Sequence, residues 1–277
     1  MKIALVQLNS SSEWKKNIKN FEHYLNLSED CELLVFPENS LVNVKSKERY
    51  THALSLESTA IESCQKLAQK YSKHIVIGAF PEKIPSSMLT YQTLICINEH
   101  GKIVETYRKI HLFKLQSDLL SVNEEKWIDY GPLTPKVFRI HDWTFGLSIC
   151  YDLRFPELFR LLVNLGAEAL LVPSAFTHVT GQAHWHPLLR ARAIENLSYV
   201  FGVNQIGTSK SGYLQFGHTL AVDPWGKILS ELDRNEGMIK LTLCKEELTR
   251  ARQSLPALEH QRFCINYDCT QPKHPIQ

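Results

Sequence analysis

A thiol, a carboxylate and an ammonium group each follow a short apolar run in this chain. Cys150 closes residues 144–149, Glu38 follows Leu33-Leu34-Val35-Phe36-Pro37, and Lys109 follows residues 103–107. The three make a chemical set. A thiolate attacks a carbonyl carbon, a carboxylate moves the protons, and a cation stabilises the oxyanion. Singly, each has an ordinary reading: Cys150 as a small buried hydrophobe, Glu38 as a helix cap, Lys109 as a solvated charge. Their shared placement favours chemistry, because ligands of open α/β sheets bind beyond the carboxyl ends of the strands.

The elements that must position these groups are legible around Cys150. Phe145, Leu147 and Ile149 alternate with Thr144, Gly146 and Ser148, the pattern of a buried strand. Pro156 suits the first turn of a helix, which Leu158, Leu161, Leu162 and Leu165 continue at spacings of three and four. A thiol on the intervening turn sits near free backbone N–H groups, which favour thiolate and can bind a developing oxyanion.

Along the chain, residues 2–8 read as a strand, and Trp14, Ile18, Phe21 and Leu25 as one face of a helix. A strand at 33–36, a helix through Ile61, Cys64, Ala68 and Tyr71, and a strand at 75–78 follow. A hairpin turns about Asn98-Glu99-His100-Gly101. Residues 112–137 have no period and read as a long surface loop. The second half repeats the plan: strand 144–149, helix 156–165, strand 170–172, helix from about 184 to 197, strand 199–203, and a hairpin about Asp223-Pro224-Trp225-Gly226. Near-continuous apolar strands are buried on both faces, so helices must cover the outsides. The expectation is an α/β fold, a four-layer α-β-β-α sandwich of two similar halves within one domain, residues 1–262. A last helix spans 245–253, and residues 263–277 form a tail or an arm onto a partner subunit.

Composition narrows the class. A net charge of +2 over 277 residues gives no reason to expect nucleic acid or an acidic membrane as partner. Seven scattered cysteines, an odd number, argue for free thiols in a reducing compartment. No cleavable signal and no apolar stretch near ~18 residues is seen. The expectation is a soluble cytoplasmic protein without membrane contact.

Whole motifs then carry a resemblance. Leu34-Val35-Phe36-Pro37-Glu38-Asn39, Tyr107-Arg108-Lys109-Ile110-His111-Leu112-Phe113 and Cys150-Tyr151-Asp152-Leu153-Arg154-Phe155-Pro156-Glu157 resemble the nitrilase superfamily of carbon–nitrogen hydrolases. So do Thr180-Gly181-Gln182-Ala183-His184-Trp185, Arg190-Ala191-Arg192-Ala193-Ile194-Glu195-Asn196 and Gly217-His218-Thr219…Asp223-Pro224-Trp225-Gly226, in that order, across residues 2 to about 262. The resemblance implies the same four-layer sandwich, subunits paired through helices as homodimers or larger homo-oligomers, and no cofactor. It makes Cys150 the nucleophile, Glu38 the general base and acid, and Lys109 the oxyanion-binding cation, working through a thioester. It also implies a second glutamate between the lysine and the cysteine. Spacing to Gly131 selects Glu124, and spacing back to Lys109 would select Glu125.

Arg154 matches the position at which carbamoylase relatives grip a substrate carboxylate; Tyr151, Phe176 and Thr177 are expected to line the pocket. The His184–His186 pair has no third ligand at convincing spacing, so no metal is expected there. Trp185 and Trp225 are expected to pack, and Asp152 and Glu157 to fix the turn. The motifs lean toward the branch containing deaminated glutathione amidase and omega-amidase. The first implied activity is hydrolysis of deaminated glutathione. The alternatives are an omega-amidase acting on 2-oxoglutaramate or 2-oxosuccinamate and an N-carbamoyl hydrolase; against a non-catalytic scaffold stand four intact catalytic positions. Gln92 stands where relatives usually carry Asn, the loop at 41–57 is short, Lys114 replaces a common acidic residue, and Pro187 is unusual in its helix.

Overall fold

The computed structural model describes residues 1–263, and the proposed tail lies outside them apart from Phe263. The first half runs β1 (Lys2–Gln7), α1 (Trp14–Leu27), β2 (Leu33–Val35), α2 (Thr59–Tyr71), β3 (His74–Lys83), β4 (Thr90–Ile97) and β5 (Ile103–Arg108). A small hairpin, β6 (Lys114–Gln116) and β7 (Ser121–Asn123), links it to the second half. There, β8 (Val137–Ile140), β9 (Trp143–Leu147), α3 (Pro156–Asn164), β10 (Ala169–Ser174), α4 (His178–Asn196), β11 (Tyr199–Asn204), β12 (Leu220–Val222) and β13 (Ile228–Glu231) follow. The chain then returns through β14 (Gly237–Thr242) and α5 (Lys245–Ser254).

The sheets are ordered β14-β1-β2-β3-β4-β5 and β13-β12-β11-β10-β9-β8. Read from β1 and from β9, each half is strand, helix, strand, helix, then three strands, with an antiparallel edge strand beside the first. The halves are therefore similar in plan, as expected. Alternation along the strands builds the layers. Ile3, Leu5, Leu33, Val35, Val76 and Leu94 join one core with Phe145, Leu147, Leu171 and Phe201 of the other sheet. Ala4, Val6, Leu34, Ile75 and Ile95 face a second core with Phe21, Leu25, Ile61 and Cys64 of α1 and α2. Two buried glutamines stitch the sheets. The Gln7 side chain accepts from the Thr219 N–H at 2.8 Å, and the Gln205 side chain accepts from the Ser10 N–H at 3.1 Å.

Several expectations need correction. The stretch 112–137 is a structured link rather than a plain loop, and β8 begins at its end. Helix α4 starts at His178, six residues before the expected 184, because the Thr177 side chain caps it by accepting from the Thr180 N–H. Pro187 consequently lies well inside the helix. Trp185 packs as expected, fully buried with its indole N–H donated to the His218 carbonyl, whereas Trp225 is 59% exposed at a hairpin tip. No helix among the described residues is long and apolar enough to cross a membrane.

The free thiols leave a thermodynamic mark. Burial pushes Cys64 up to about 12 and raises Cys31, Cys96 and Cys150. An unfolded thiol ionises near pH ~8.5. Folded values lie above the unfolded one, so this stabilisation is complete below that pH and is lost above it. Urea midpoints should fall steadily above pH ~8.5, and Cys64→Ala should make the fall shallower by up to about 1.4 kcal/mol per pH unit. A slope unchanged by that substitution would remove Cys64 from the account.

Candidate active site

Each candidate side chain is set just past a strand end by a specific backbone constraint. Beyond β2 the chain keeps its ladder to β3: the Phe36 N–H donates to the Val76 carbonyl and the Asn39 N–H to the Ala79 carbonyl, which presents Glu38. β3 passes so close that a Cβ on Gly78 would meet the Phe36 carbonyl oxygen at 2.2 Å, so only glycine fits. Lys109 directly follows β5. Its N–H donates to the Gln92 carbonyl, and its carbonyl accepts from the Gly131 N–H, both at 2.9 Å.

Cys150 stands three residues past the end of β9, on a tight 3₁₀ turn spanning Cys150–Arg154, with φ of +48°. A side chain in the left-handed region is strained by about 1–3 kcal/mol and persists only where its surroundings impose it. Asp152, fully buried, imposes it here. Its carboxylate accepts from the Ile149 N–H (2.9 Å), the Tyr107 hydroxyl (2.7 Å) and the His111 N–H (3.1 Å), and lies 2.7 Å from His111 Nδ1. Asp152 therefore fixes the turn, as expected.

The side chains converge. Lys109 Nζ lies 3.2 Å from Glu38 Oε1 and 3.0 and 2.9 Å from the two Glu124 oxygens, with its side chain fully buried. Glu38 is held from both halves: Gln92 donates to Oε1 at 3.0 Å, and the Ala175 N–H, just past β10, donates to Oε2 at 2.9 Å. Glu124 also accepts the Phe113 N–H at 2.7 Å. Glu125 instead meets the Tyr130 hydroxyl at 2.6 Å on the exposed side. Of the two glutamates that spacing left open, the fold brings Glu124 to Lys109.

The electrostatics assign resting states. Burial alone would depress Lys109, but Glu124 and Glu38 more than offset it and hold the ammonium charged well above the usual lysine range. Burial, then Glu38, push the Cys150 thiol well up, while Lys109 and the Ala175 N–H pull it down; the upward influences win. Cys150 therefore rests as a neutral thiol and needs a base to become a nucleophile. Glu38 is the carboxylate that acts most strongly on it.

Glu38, Glu124 and Cys150 open into a cavity of about 540 Å³, lined also by Tyr151, Phe176 and Thr177, whereas the fully buried Lys109 is not part of the lining. Arg154 is absent from that lining. Its guanidinium lies over the Tyr151 and Phe176 rings and donates to His184 Nδ1 at 3.0 Å. Burial and Arg154 itself lower the His184 imidazole, which leaves that nitrogen able to accept. Neither Asp152 nor Glu157 forms an ion pair with Arg154 among the described residues.

Sequence reading missed Arg49, a buried cation in the cavity wall whose Nη2 donates to the Gln92 side chain and Nε to Thr90. It lies between two isolated 3₁₀ turns, Ser46–Glu48 and Tyr50–His52, that show no period. The one available signal was Gln92, the departure from the family pattern that links Arg49 to Glu38.

Exchange tests the choice of glutamate. Glu124→Gln is expected to lower kcat by about 10²–10³-fold, as loss of one oxyanion-stabilising donor does, because Lys109 loses the carboxylate that orients it. Glu125→Gln should stay within about twofold, as exposed positions do. Steady-state kinetics on both variants decides it, and equal losses would refute the assignment.

A buried thiol, two carboxylates and an ammonium converge at the junction of a four-layer sandwich, a set of groups suited to hydrolysis. The chain belongs to the carbon-nitrogen hydrolase family, which it matches over residues 2–253. It is 35% identical to the Omega-amidase NIT3 of Saccharomyces cerevisiae, covering 97% of this chain and 95% of that one. It is 33% identical to the deaminated glutathione amidase of Synechocystis sp., covering 94% and 97%. Among solved structures, Saccharomyces cerevisiae Nit3, a member of branch 10 of the nitrilase superfamily, superposes with a TM-score of 0.85 at 34% identity, covering 95% of this chain and 97% of that one. The protein is a hydrolase of amide C–N bonds.

Proposed function

We propose that the chain hydrolyses the amide of a small anionic 2-oxo acid through a thioester on Cys150, with deaminated glutathione as the substrate. The observation that carries the substrate class is the charge of the cavity wall. Arg49, Lys45, Lys47, Lys126 and Lys210 line it, and its two carboxylates, Glu38 and Glu124, are both already paired with Lys109. Such a wall attracts anions and suits a substrate with a carboxylate at each end. Deaminated glutathione has two carboxylates, 2-oxoglutaramate one. A cavity of about 540 Å³ accommodates the larger molecule.

In the mechanism, Glu38 takes the thiol proton as Cys150 attacks the amide carbonyl. Lys109 and the N–H of Tyr151 hold the oxyanion, with Glu124 keeping the ammonium oriented. The tetrahedral adduct collapses, Glu38 returns the proton to the leaving amine, and the acyl group remains as a thioester. Glu38 then deprotonates a water that attacks the thioester, releasing the acid and restoring the thiol. Tyr151, Phe176 and Thr177 pack the acyl chain. Arg49 lines the cavity and Arg154 does not, which makes Arg49 the better placed carboxylate partner.

A second reading, omega-amidase action on 2-oxoglutaramate, is favoured by the 35% identity to the yeast enzyme of that name. Turnover of the two substrates side by side separates them, scored as cysteinylglycine release from deaminated glutathione and ammonia release from 2-oxoglutaramate. A higher kcat/KM for deaminated glutathione supports the proposal, and preference for 2-oxoglutaramate replaces it with the second reading. We also place the protein in the cytoplasm as a homodimer or larger homo-oligomer. Exposed Leu165, Ile194 and Trp225 on the α3 and α4 side support the pairing.

A further inference from the structure

The two histidines of the His-x-His pair are sent apart by the helix. His184 turns to Arg154, while His186 meets residues remote in sequence. His186 Nε2 lies 2.8 Å from Glu231 Oε1, and His218 Nδ1 lies 2.7 Å from the same oxygen. The earlier expectation of no metal rested on the lack of a third ligand, and the fold supplies two further ligands, to His186 alone. We propose that His186, His218 and Glu231 form a binding site for a borderline divalent cation, Zn²⁺ foremost, away from the catalytic residues.

Three observations carry this. First, one ligand atom from each residue lies within 4.8 Å of the others. Ligands of a tetrahedral zinc with bonds of about 2.0–2.2 Å stand about 3.4 Å apart. The nitrogens therefore need only draw together, and the carboxylate oxygen only back off, by rotation of side chains. Second, two imidazoles and one carboxylate with an open fourth position are a donor set that zinc favours over the hard cations, which prefer oxygen. Third, the ligands are ordered yet reachable. They come from α4, β13 and the turn before β12, and their side chains are 31%, 26% and 29% exposed for His186, His218 and Glu231. The His218 backbone is fixed at both ends, its N–H donating to the Asp233 carbonyl and its carbonyl accepting from Trp185. Its ring stacks on Phe216 with centroids 4.4 Å apart, and His186 sets its edge against the same ring.

The cluster backs onto the cavity wall. The Phe216 N–H donates to the Phe176 carbonyl, and Phe216 adjoins Gln215, both Phe176 and Gln215 lining the cavity. A bound ion would tie α4 to β13 across Phe216 and brace that wall.

The test uses the full chain carrying Cys150→Ala, so that the nucleophile cannot take the metal. Co²⁺ and Zn²⁺ are titrated, reading stoichiometry, the Co²⁺ visible spectrum and the thermal midpoint. The expected result is one equivalent of metal, Co²⁺ bands of nitrogen–oxygen ligation without sulfur-to-cobalt charge transfer, and a raised midpoint. Loss of an outer-shell partner alone weakens metal sites by 10–100-fold, so His186→Ala and Glu231→Gln should each weaken binding by more than about 100-fold. His218→Asn, which keeps a residue tolerant of positive φ, guards against a folding defect at that turn. Metal-free midpoints identify any variant that fails to fold. Absence of binding, binding that survives in the folded variants, or a thiolate charge-transfer band would each overturn the proposal, leaving a hydrogen-bonded His–Glu–His cluster.

Discussion

Cys150→Ala is expected to cut amide turnover by at least about 10⁴-fold while leaving the fold intact. Removing a nucleophile abolishes the covalent route, and what remains is binding and oxyanion stabilisation without an attacking group. The thiol makes no structural contact that alanine would miss severely, because the turn is set by Asp152 rather than by the sulfur. Alanine also keeps the left-handed strain at this position (φ +48°). Cys150→Gly relieves it and should therefore be more stable than Cys150→Ala, although both are inactive. Ammonia or amine release, set beside urea unfolding, reads both effects. More than about 1% residual turnover in well-folded Cys150→Ala would sink the thioester mechanism.

The second large effect falls on Lys109. Lys109→Met removes the cation proposed to face the oxyanion, an expected loss of about 10²–10³-fold in kcat for one such donor. It also leaves Glu38 and Glu124 sharing a buried site without their directly paired cation, Arg49 reaching Glu38 only through Gln92. Breaking a buried ion pair on one side costs about 3–5 kcal/mol, or a fall in thermal midpoint of about 6–20 °C for a chain of this size. The loss of stability with rising pH should move from the strongly alkaline range down to neutrality. In the parent, the Lys109 value is raised on folding, so its contribution is complete below the unfolded lysine value and is lost only at strongly alkaline pH. In the variant, two carboxylates sharing a buried site without the Lys109 ammonium between them favour protonation of one, which raises its folded value above the unfolded one. Stability is then greatest at acid pH and falls as pH rises through neutrality. Adding Glu124→Gln should restore part of the stability and none of the activity. A thermal midpoint within about 2 °C of the parent would return Lys109 to the status of a solvated charge.

Much of this site was readable because its residues punctuate apolar strands. Glu38, Lys109 and Cys150 follow β2, β5 and β9 within three residues, and hydrophobic alternation reports such strands well. The choice between Glu124 and Glu125 was not readable, since both share one turn and only the Phe113 N–H and Lys109 decide which turns inward. The first six residues of α4 escaped notice because His178, Thr180, Gly181 and Gln182 offer no apolar stripe, and Thr177 was the sole signal. β14 was missed because an edge strand alternates weakly between core and solvent. Arg49 and the His186 cluster are assembled from segments distant in sequence, and no local pattern encodes such meetings.

The division of the proposed catalytic groups between the two halves has a mechanical consequence. Glu38 and Lys109 ride on one sheet, Cys150 and the Ala175 N–H on the other, and Gln7 and Gln205 set how the sheets sit together. Turnover is thus a gauge of inter-sheet alignment. A perturbation that slides one sheet over the other by a fraction of an ångström would silence hydrolysis while every helix and ladder persists, a failure invisible to circular dichroism and plain only in the rate.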